Sequence, residues 1–371
     1  MPHILTINAG SSSVRFALFS SGAPPVRLMD GKMERIGHEA GAVTADRLAE
    51  KLKSQAHGAA PDAIGHRVVH GMLHSRPERV SPALLTELRS IAPLDPEHLP
   101  REIELIEAMQ RQFPNVPQVA CFDTAFHRSM PPEATLLPIP RRYAAKGVQR
   151  YGFHGLSYTF LMQELARLGD GAAAQGRVIL AHLGSGASLA AVLDGRSIDT
   201  SMGFTPAAGL VMGTRSGDLD PGLAGYLMNT ESMNAAQFQT MVNDQSGLIG
   251  LSETSADVRD LLDRESTDSR AREAIAIFCY QAKKWIGAYT AALGGLDTLV
   301  FAGGIGENAA AVRRRICDGL QCIGVVLDPA RNVEHAACIS TGRVVVRVIR
   351  TDEESVIANL TAQCVGMSTE E

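Results

Sequence analysis

Histidine and arginine side chains set between glycines are the residues of this chain best suited to chemistry. Tyr151-Gly152-Phe153-His154-Gly155 isolates His154, and Gly213-Thr214-Arg215-Ser216-Gly217 isolates Arg215 in a tight polar loop. Glycines on either side let a ligand approach the backbone closely. Gly65-His66-Arg67-Val68-Val69-His70-Gly71 brings Arg67 and His70 to the end of an apolar run, and Phe122-Asp123 ends another run on a carboxylate. A guanidinium is a planar fork that fits carboxylate or phosphate. Thr351-Asp352-Glu353-Glu354 follows an apolar run and opens a helical one. Acids there favour the helix dipole, and they could equally hold Mg²⁺ through water.

Three further segments are glycine-rich turns. Asn8-Ala9-Gly10-Ser11-Ser12-Ser13 and His182-Leu183-Gly184-Ser185-Gly186 each lie between two apolar runs. Each is either a plain hairpin turn or a concavity of backbone N–H groups suited to phosphate oxygens. Gly303-Gly304-Ile305-Gly306-Glu307 follows a strand-like run and precedes a helical one, where a helix N-terminus favours an anion. No GK[ST] occurs, which excludes the Walker-type NTPases. The three loops together imply a cleft holding a nucleotide between two halves.

The elements that must position these residues alternate. Strands are expected at Ile4–Asn8, Val14–Phe19, Ala63–His70, Val116–Phe122, Val178–Leu183, Ser188–Leu193, Thr298–Ala302 and Val344–Arg350. Helices are expected at Thr44–Gln55, Pro82–Ile91, Arg101–Gln112, Leu156–Leu168, Ala271–Leu293, Glu307–Leu320 and Glu353–Val365, with Gly169 as the stop of the fourth. This is an α/β pattern. Ile4–Leu18 and Ile179–Leu193 share a strand–turn–strand pattern at an offset of 175 residues, which fits two similar halves of a 371-residue chain.

Composition narrows the function classes. With 35 basic and 40 acidic side chains the net charge is −5, which argues against a general nucleic-acid binder. Of the bases 29 are Arg and six Lys, most of them read as background composition. The six cysteines form no CxxC pair, so free thiols in a reducing, cytoplasmic compartment are expected. No signal peptide and no membrane span are expected either.

In order, the motifs NAGSSSVRF, GHRVVHG, FDTAFH, YGFHG, HLGSGAS, SMGFTP, GLVMGTRSGDLDPG, DVRDL, FAGGIGEN and TDEE resemble those of the acetate kinase family, carboxylate kinases of the actin, sugar kinase and heat-shock 70 superfamily. The resemblance runs from Ile4 to about Ala358. It implies two duplicated ribonuclease-H-like (actin-like ATPase) domains with a nucleotide cleft between them: residues 1–149 plus 352–371, and residues 150–351. It implies reversible, Mg²⁺-dependent (Mn²⁺ as an alternative), direct in-line transfer of phosphoryl from ATP to acetate, without a phosphoenzyme, giving acetyl phosphate and ADP. Propionate, butyrate or another short acid is the alternative acceptor, and a non-catalytic actin-like nucleotide binder is the remote one. A cytoplasmic homodimer follows from the same resemblance.

By this resemblance Asp123, His154 and Arg215 would be catalytic, and Arg67 and Val69 would bind the acid. Arg15, His182, Leu183, Gly184, Ser185, Gly186, Asp257, Val258, Arg259, Gly303, Gly304, Ile305, Gly306 and Glu307 would bind the nucleotide. Asn8 and Glu353 would hold the metal. A short-chain acid is already ionised at neutral pH and needs no general base, so Asp123 is expected to order an Arg, the metal or its water. The sequence departs from the family pattern at several places. Arg15 stands for Lys, Ser185 for Asn, Met72 for a second Gly and Ala208 for Glu. The usual PLHNP reads Pro93-Leu94-Asp95-Pro96-Glu97-His98.

Overall fold

The computed structural model describes the chain except residues 11–12, 23, 35–40, 56–59, 97, 169–173 and 368–371, so Ser11, Ser12, Glu97 and the expected helix stop at Gly169 lie outside it. The described chain forms two compact units. One comprises Met1–Arg128, Gly155–Phe160 and the chain from Asp352 on; the other comprises Ser129–His154 and Leu161–Thr351.

The first unit holds a six-stranded sheet of β1 (His3–Ala9), β2 (Ser13–Ser20), β3 (Val26–Glu34), β4 (Ala63–Val68), β5 (Glu78–Arg79) and β6 (Gln118–Phe122), ordered β3-β2-β1-β4-β6-β5. β1, β2 and β3 pair antiparallel, whereas β4 and β6 continue parallel to β1. The second unit repeats this plan with β7 (Arg177–Leu183), β8 (Ala187–Leu193), β9 (Arg196–Thr200), β10 (Thr298–Ala302) and β11 (Val345–Val348), ordered β11-β10-β7-β8-β9. Again three strands form an antiparallel meander and two extend the sheet in parallel. The 175-residue echo is thus a duplicated ribonuclease-H-like sheet.

Central strands are apolar on both faces, as a sheet covered on both sides requires. In the first unit Leu5, Ile7 and Ile64 pack against Leu48 and Leu52 of the helix Gly41–Gln55 and Leu105 and Met109 of the helix Leu99–Gln112. The opposite face carries the last helix, Glu353–Val365, whose Ala358 meets Ile4, Ala17, Phe19 and Ala63, and whose Ile357 meets Val119 and Cys121. Gly65 admits that helix: a Cβ there would stand 2.1 Å from Thr361 Oγ1. Burying each large aliphatic side chain contributes about 1.5–3 kcal/mol, which fixes Glu353 to the end of the first sheet.

Residues 129–149 lie in the second unit, where Ser129 Oγ donates to Ser197 O and Arg150 donates to Ala134 O, Thr200 O and Met202 O. Some elements differ from expectation. The helix expected at Glu307–Leu320 is broken in two, Gly303–Asn308 and Ala310–Cys317, by the non-helical backbone of Ala309 (ψ 80°). The helix Ser269–Ala292 buries one face only: Ala271, Ile275, Phe278, Ala282, Ile286 and Tyr289 recur at three- and four-residue spacing while Tyr280 is exposed. β3 and β9 went unforeseen because each lies at a sheet edge and alternates polar residues with few apolar ones. Among the described residues no helix is long and apolar enough to cross a membrane.

Candidate active site

In the first unit, the C-terminal ends of the three parallel strands carry the candidate residues side by side. β1 ends on Asn8 and Ala9, β4 on Arg67 and Val68, and β6 runs directly into Asp123. Arg67 donates from Nη2 and Nε to Asp123 Oδ2, at 2.6 and 3.0 Å, and from Nη1 to Asn8 Oδ1 at 3.2 Å. Asp123 is fully buried and accepts the Leu156 N–H at 3.3 Å on its other oxygen. Gly155 makes that approach feasible, since a Cβ there would lie 2.0 Å from Asp123 O. Asn8 Nδ2 donates to Glu353 Oε2 at 2.7 Å and to Glu354 Oε1 at 3.1 Å. Arg15 is exposed on β2 opposite Asn8, and its charge reaches Glu354.

Burial sets the electrostatics of this cluster. It pushes the Asp123 carboxyl above its ordinary range, with Arg67 pulling against it and Glu353 adding repulsion. Glu354 is raised by burial and by the Glu353 carboxylate beside it. Burial works against the Arg67 charge, but Asp123 and then Glu353 more than offset it, so the guanidinium stays protonated. Two acids at the head of the last helix, crowded by Asp123, suit a divalent cation: the carboxylates repel until one neutralises them, and Asn8 adds a neutral oxygen. The residues present therefore fit a metal held by Asn8 and Glu353. No group of three or more His, Cys, Asp or Glu among the described residues has an all-protein metal-site geometry; a Mg²⁺ site that relies on waters and phosphate needs none.

The second unit assembles a different cluster. His154 has a left-handed backbone (φ 59°) immediately before the helix Gly155–Arg167, conformational strain of the kind that collects at functional sites. Its ring stacks on His182 with centroids 4.3 Å apart, and its Nδ1 lies 2.8 Å from Ser188 Oγ. A Cβ placed on Gly186 would sit 3.5 Å from His154 Nε2 and 3.6 Å from Arg215 Nη1, so the glycine turn, the imidazole and the guanidinium share one locality. The turn Gly184–Gly186 is closed by Gly184 N donating to Gly186 O, and Gly213 N ties the Arg215 loop to Ser185 O at 2.9 Å. Ser185 thus uses its carbonyl to join the two loops.

The third glycine loop meets the second. β10 runs parallel to β7 with Ala302 opposite His182. Gly303 takes φ +76°, and a Cβ there would fall 2.6 Å from Leu183 O. Glu307 turns inward rather than out: its Oε1 accepts the N–H groups of Gly303 and Thr351. Through these bonds it braces the loop expected to hold the nucleotide. Leu183 and Val258 are buried core side chains, so only their backbones could face a ligand. Asp257 caps the helix Val258–Arg264 through Arg259 N, and the Arg259 guanidinium pairs back on it at 2.6 Å.

Several contributors escaped the sequence reading. Glu354 sits one residue from an expected ligand. Ser188, though inside a quoted motif, gave no sign that it would anchor His154. Arg313 is fully buried and donates to Gly306 O and Glu307 O, holding the far end of the third loop. Met72 takes φ 44°, the region a glycine would occupy freely, and packs against the apolar cluster that includes Val68 and Phe122. His98 and Asp95 form a buried pair at 2.9 Å.

Comparison with known proteins shows the family. A model of the acetokinase family matches residues 38–359. An acetate kinase of Rhodopseudomonas palustris is 42% identical over 385 residues, covering 96% of both chains. The crystal structure of Porphyromonas gingivalis acetate kinase aligns with a TM-score of 0.88 at 34% identity, covering 98% of this chain and 100% of that one. A propionate kinase from Francisella tularensis matches equally well, with a TM-score of 0.88 at 35% identity over 98% of this chain and 100% of that one. Family model, sequence and three-dimensional likeness coincide over nearly the whole chain, and the chain belongs to the acetokinase family.

Proposed function

We propose that this protein is an ATP-dependent carboxylate kinase that transfers the γ-phosphoryl group reversibly to acetate, giving acetyl phosphate and ADP. The observation carrying this reading is the cation at the head of the first sheet. Asp123 and Asn8 hold the Arg67 guanidinium rigid while one Nη2 hydrogen keeps no partner among the described residues. A binding module for nucleotide alone has no use for such an anion anchor.

On this reading Arg67 takes the acid, with Val69 beside it. The second unit takes the nucleotide along His182–Gly186, Asp257–Arg259 and Gly303–Glu307. The acid needs no base, its own pKa lying well below 7. Asp123 keeps Arg67 aimed, since both hydrogen bonds from the fork end on its Oδ2. His154 and Arg215 oppose the charge that builds on the transferring oxygens; Ser188 fixes one side of the imidazole and leaves Nε2 toward Gly186. Removing one such preorganised donor typically costs about 2.7–4 kcal/mol of transition-state stabilisation. Asn8 and Glu353 would hold Mg²⁺, which supplies charge neutralisation on the phosphate oxygens when bound. A cytoplasmic homodimer with no nucleic-acid or membrane partner completes the proposal, supported by the resemblance.

Propionate is the second reading. Met72 keeps it open, because it lies in the segment just after Val69 and packs against the apolar cluster to which Val68 belongs. Incubation with ATP, Mg²⁺, hydroxylamine and acids of two to four carbons tests both. Acetohydroxamate forming in step with ADP, with kcat/KM highest for acetate, is the expected result. A higher value for propionate would select the second reading, and no hydroxamate from any acid would leave only a nucleotide binder.

A further inference from the structure

The segment that follows Arg67 leaves its sheet early. The β4–β6 ladder stops at Val68 opposite Phe122, so the next N–H, on buried Val69, has no strand partner. Such a group must find another acceptor or cost its desolvation. It finds Glu102, on the helix Leu99–Gln112, whose Oε2 accepts it at 3.0 Å. Two residues on, Gly71 N is held in the same way by Thr124 Oγ1, beside Asp123. The chain from Arg67 to Gly71 is therefore set by side chains reaching in from other elements.

Glu102 is an unusual choice for that task. It is 3% exposed, its second oxygen Oε1 has no hydrogen-bond partner, and the charges facing it are Asp95, Arg67 and Asp123. A buried acceptor for one N–H could have been an amide or a hydroxyl. Here a carboxyl stands third among acids grouped near one guanidinium, which is itself committed to Asp123. We propose that Glu102 is a positioning residue for the acid substrate, fixing Val69, and through it Arg67, in the place where the carboxylate is received. The proposal rests on the assignment of Arg67 and Val69 to the acid. Burial pushes the Glu102 carboxyl well above its ordinary range, which favours the neutral form, the form that does not repel an incoming anion. Glutamine should then replace it, since an amide oxygen can accept the same N–H.

The test compares four variants of the full-length enzyme in initial rates against acetate and against ATP, with melting curves for each. Glu102→Met keeps the volume and removes the acceptor; it should raise the acetate KM roughly tenfold and leave the ATP KM within twofold, as loss of one buried hydrogen bond implies. Glu102→Asp withdraws the acceptor on a shorter chain and should do the same, which covers the case in which the Met variant does not fold. Glu102→Gln should return the acetate KM to within threefold of wild type. An unchanged acetate KM in both Met and Asp variants, or a Gln variant as impaired as they are, overturns the proposal. Arg67→Ala is the control: if it raises the acetate KM while Glu102 variants do not, the site reading stands and this inference alone falls. If Arg67→Ala leaves that constant unchanged, the site reading fails first and the inference falls with it.

Discussion

Replacing Arg67 by alanine separates what the guanidinium does for the substrate from what it does for the fold. In the folded protein it makes two hydrogen bonds to Asp123 Oδ2, the shorter at 2.6 Å, and one to Asn8 Oδ1 at 3.2 Å. Toward the acid, a hydrogen bond to a charged group contributes about 1.5–3 kcal/mol, and each 1.4 kcal/mol is a factor of ten. The acetate KM should therefore rise roughly 10- to 150-fold. Toward the fold, removing one partner of a buried ion pair costs about 3–5 kcal/mol. Asp123 softens that cost, because its carboxyl, already raised by burial, takes up a proton once the guanidinium is gone. A stability loss at the low end, about 3 kcal/mol, is expected. Arg67→Lys keeps the charge but not the fork, so it should recover the acetate KM only in part. Initial rates against each substrate, with the other saturating, read the first effect and urea unfolding reads the second. An acetate KM within twofold of wild type, or a rise confined to ATP, would refute the assignment.

Other outcomes follow from single residues. Burial lowers the His66 pKa to about 4, with Gln118 Oε1 at 2.7 Å pulling the other way. The fold favours the neutral ring, so this contribution is present above the unfolded pKa of about 6.5 and is lost as pH falls toward 4; it corresponds to about 3 kcal/mol. His66→Gln should flatten the decline of the urea midpoint between those pH values, and parallel curves for the two proteins would contradict it. Gly303→Ala puts a Cβ 2.6 Å from Leu183 O at φ +76°. It should raise the ATP KM and leave that for acetate unchanged, because the strain of roughly 1–2 kcal/mol or more falls on a loop of the second unit. Gly155→Ala would press its Cβ to 2.0 Å from Asp123 O. That oxygen is the Asp123 backbone carbonyl, and shifting this backbone, and with it the carboxylate, by a fraction of an ångström should lower kcat about a hundredfold in a variant that still melts cooperatively.

How much of this was legible in the sequence depends on how local each signal is. Asn8, Arg67 and Asp123 stood at the ends of short apolar runs, and parallel strands in one sheet bring such ends to one edge, as the registers of β1, β4 and β6 do. Glycines at 155 and 303 marked close approaches that the structure contains. Glu102 was not legible: with Glu104, Glu107 and Arg101 as neighbours it looks like part of a solvated helix face. Yet it falls at helical spacing from Leu99 and Ile106, on the face the helix buries, and that position was the available clue. The inward turn of Glu307 and the seating of His154 on Ser188 depend on contacts between distant strands and loops, which no local pattern encodes. The motif resemblance supplied roles for such residues, and for Glu307 the geometry adds a bracing one.

The central claim is direct transfer: Arg67 holds the acid, His154 and Arg215 stabilise the moving charge, and no side chain of the protein carries the phosphoryl group. The most direct test is the stereochemical course of the reaction with ATP made chiral at the γ-phosphorus, acetate as acceptor. A single in-line displacement inverts the configuration, and inversion is the result this account predicts. Retention would require two displacements through a phosphorylated side chain and would contradict it.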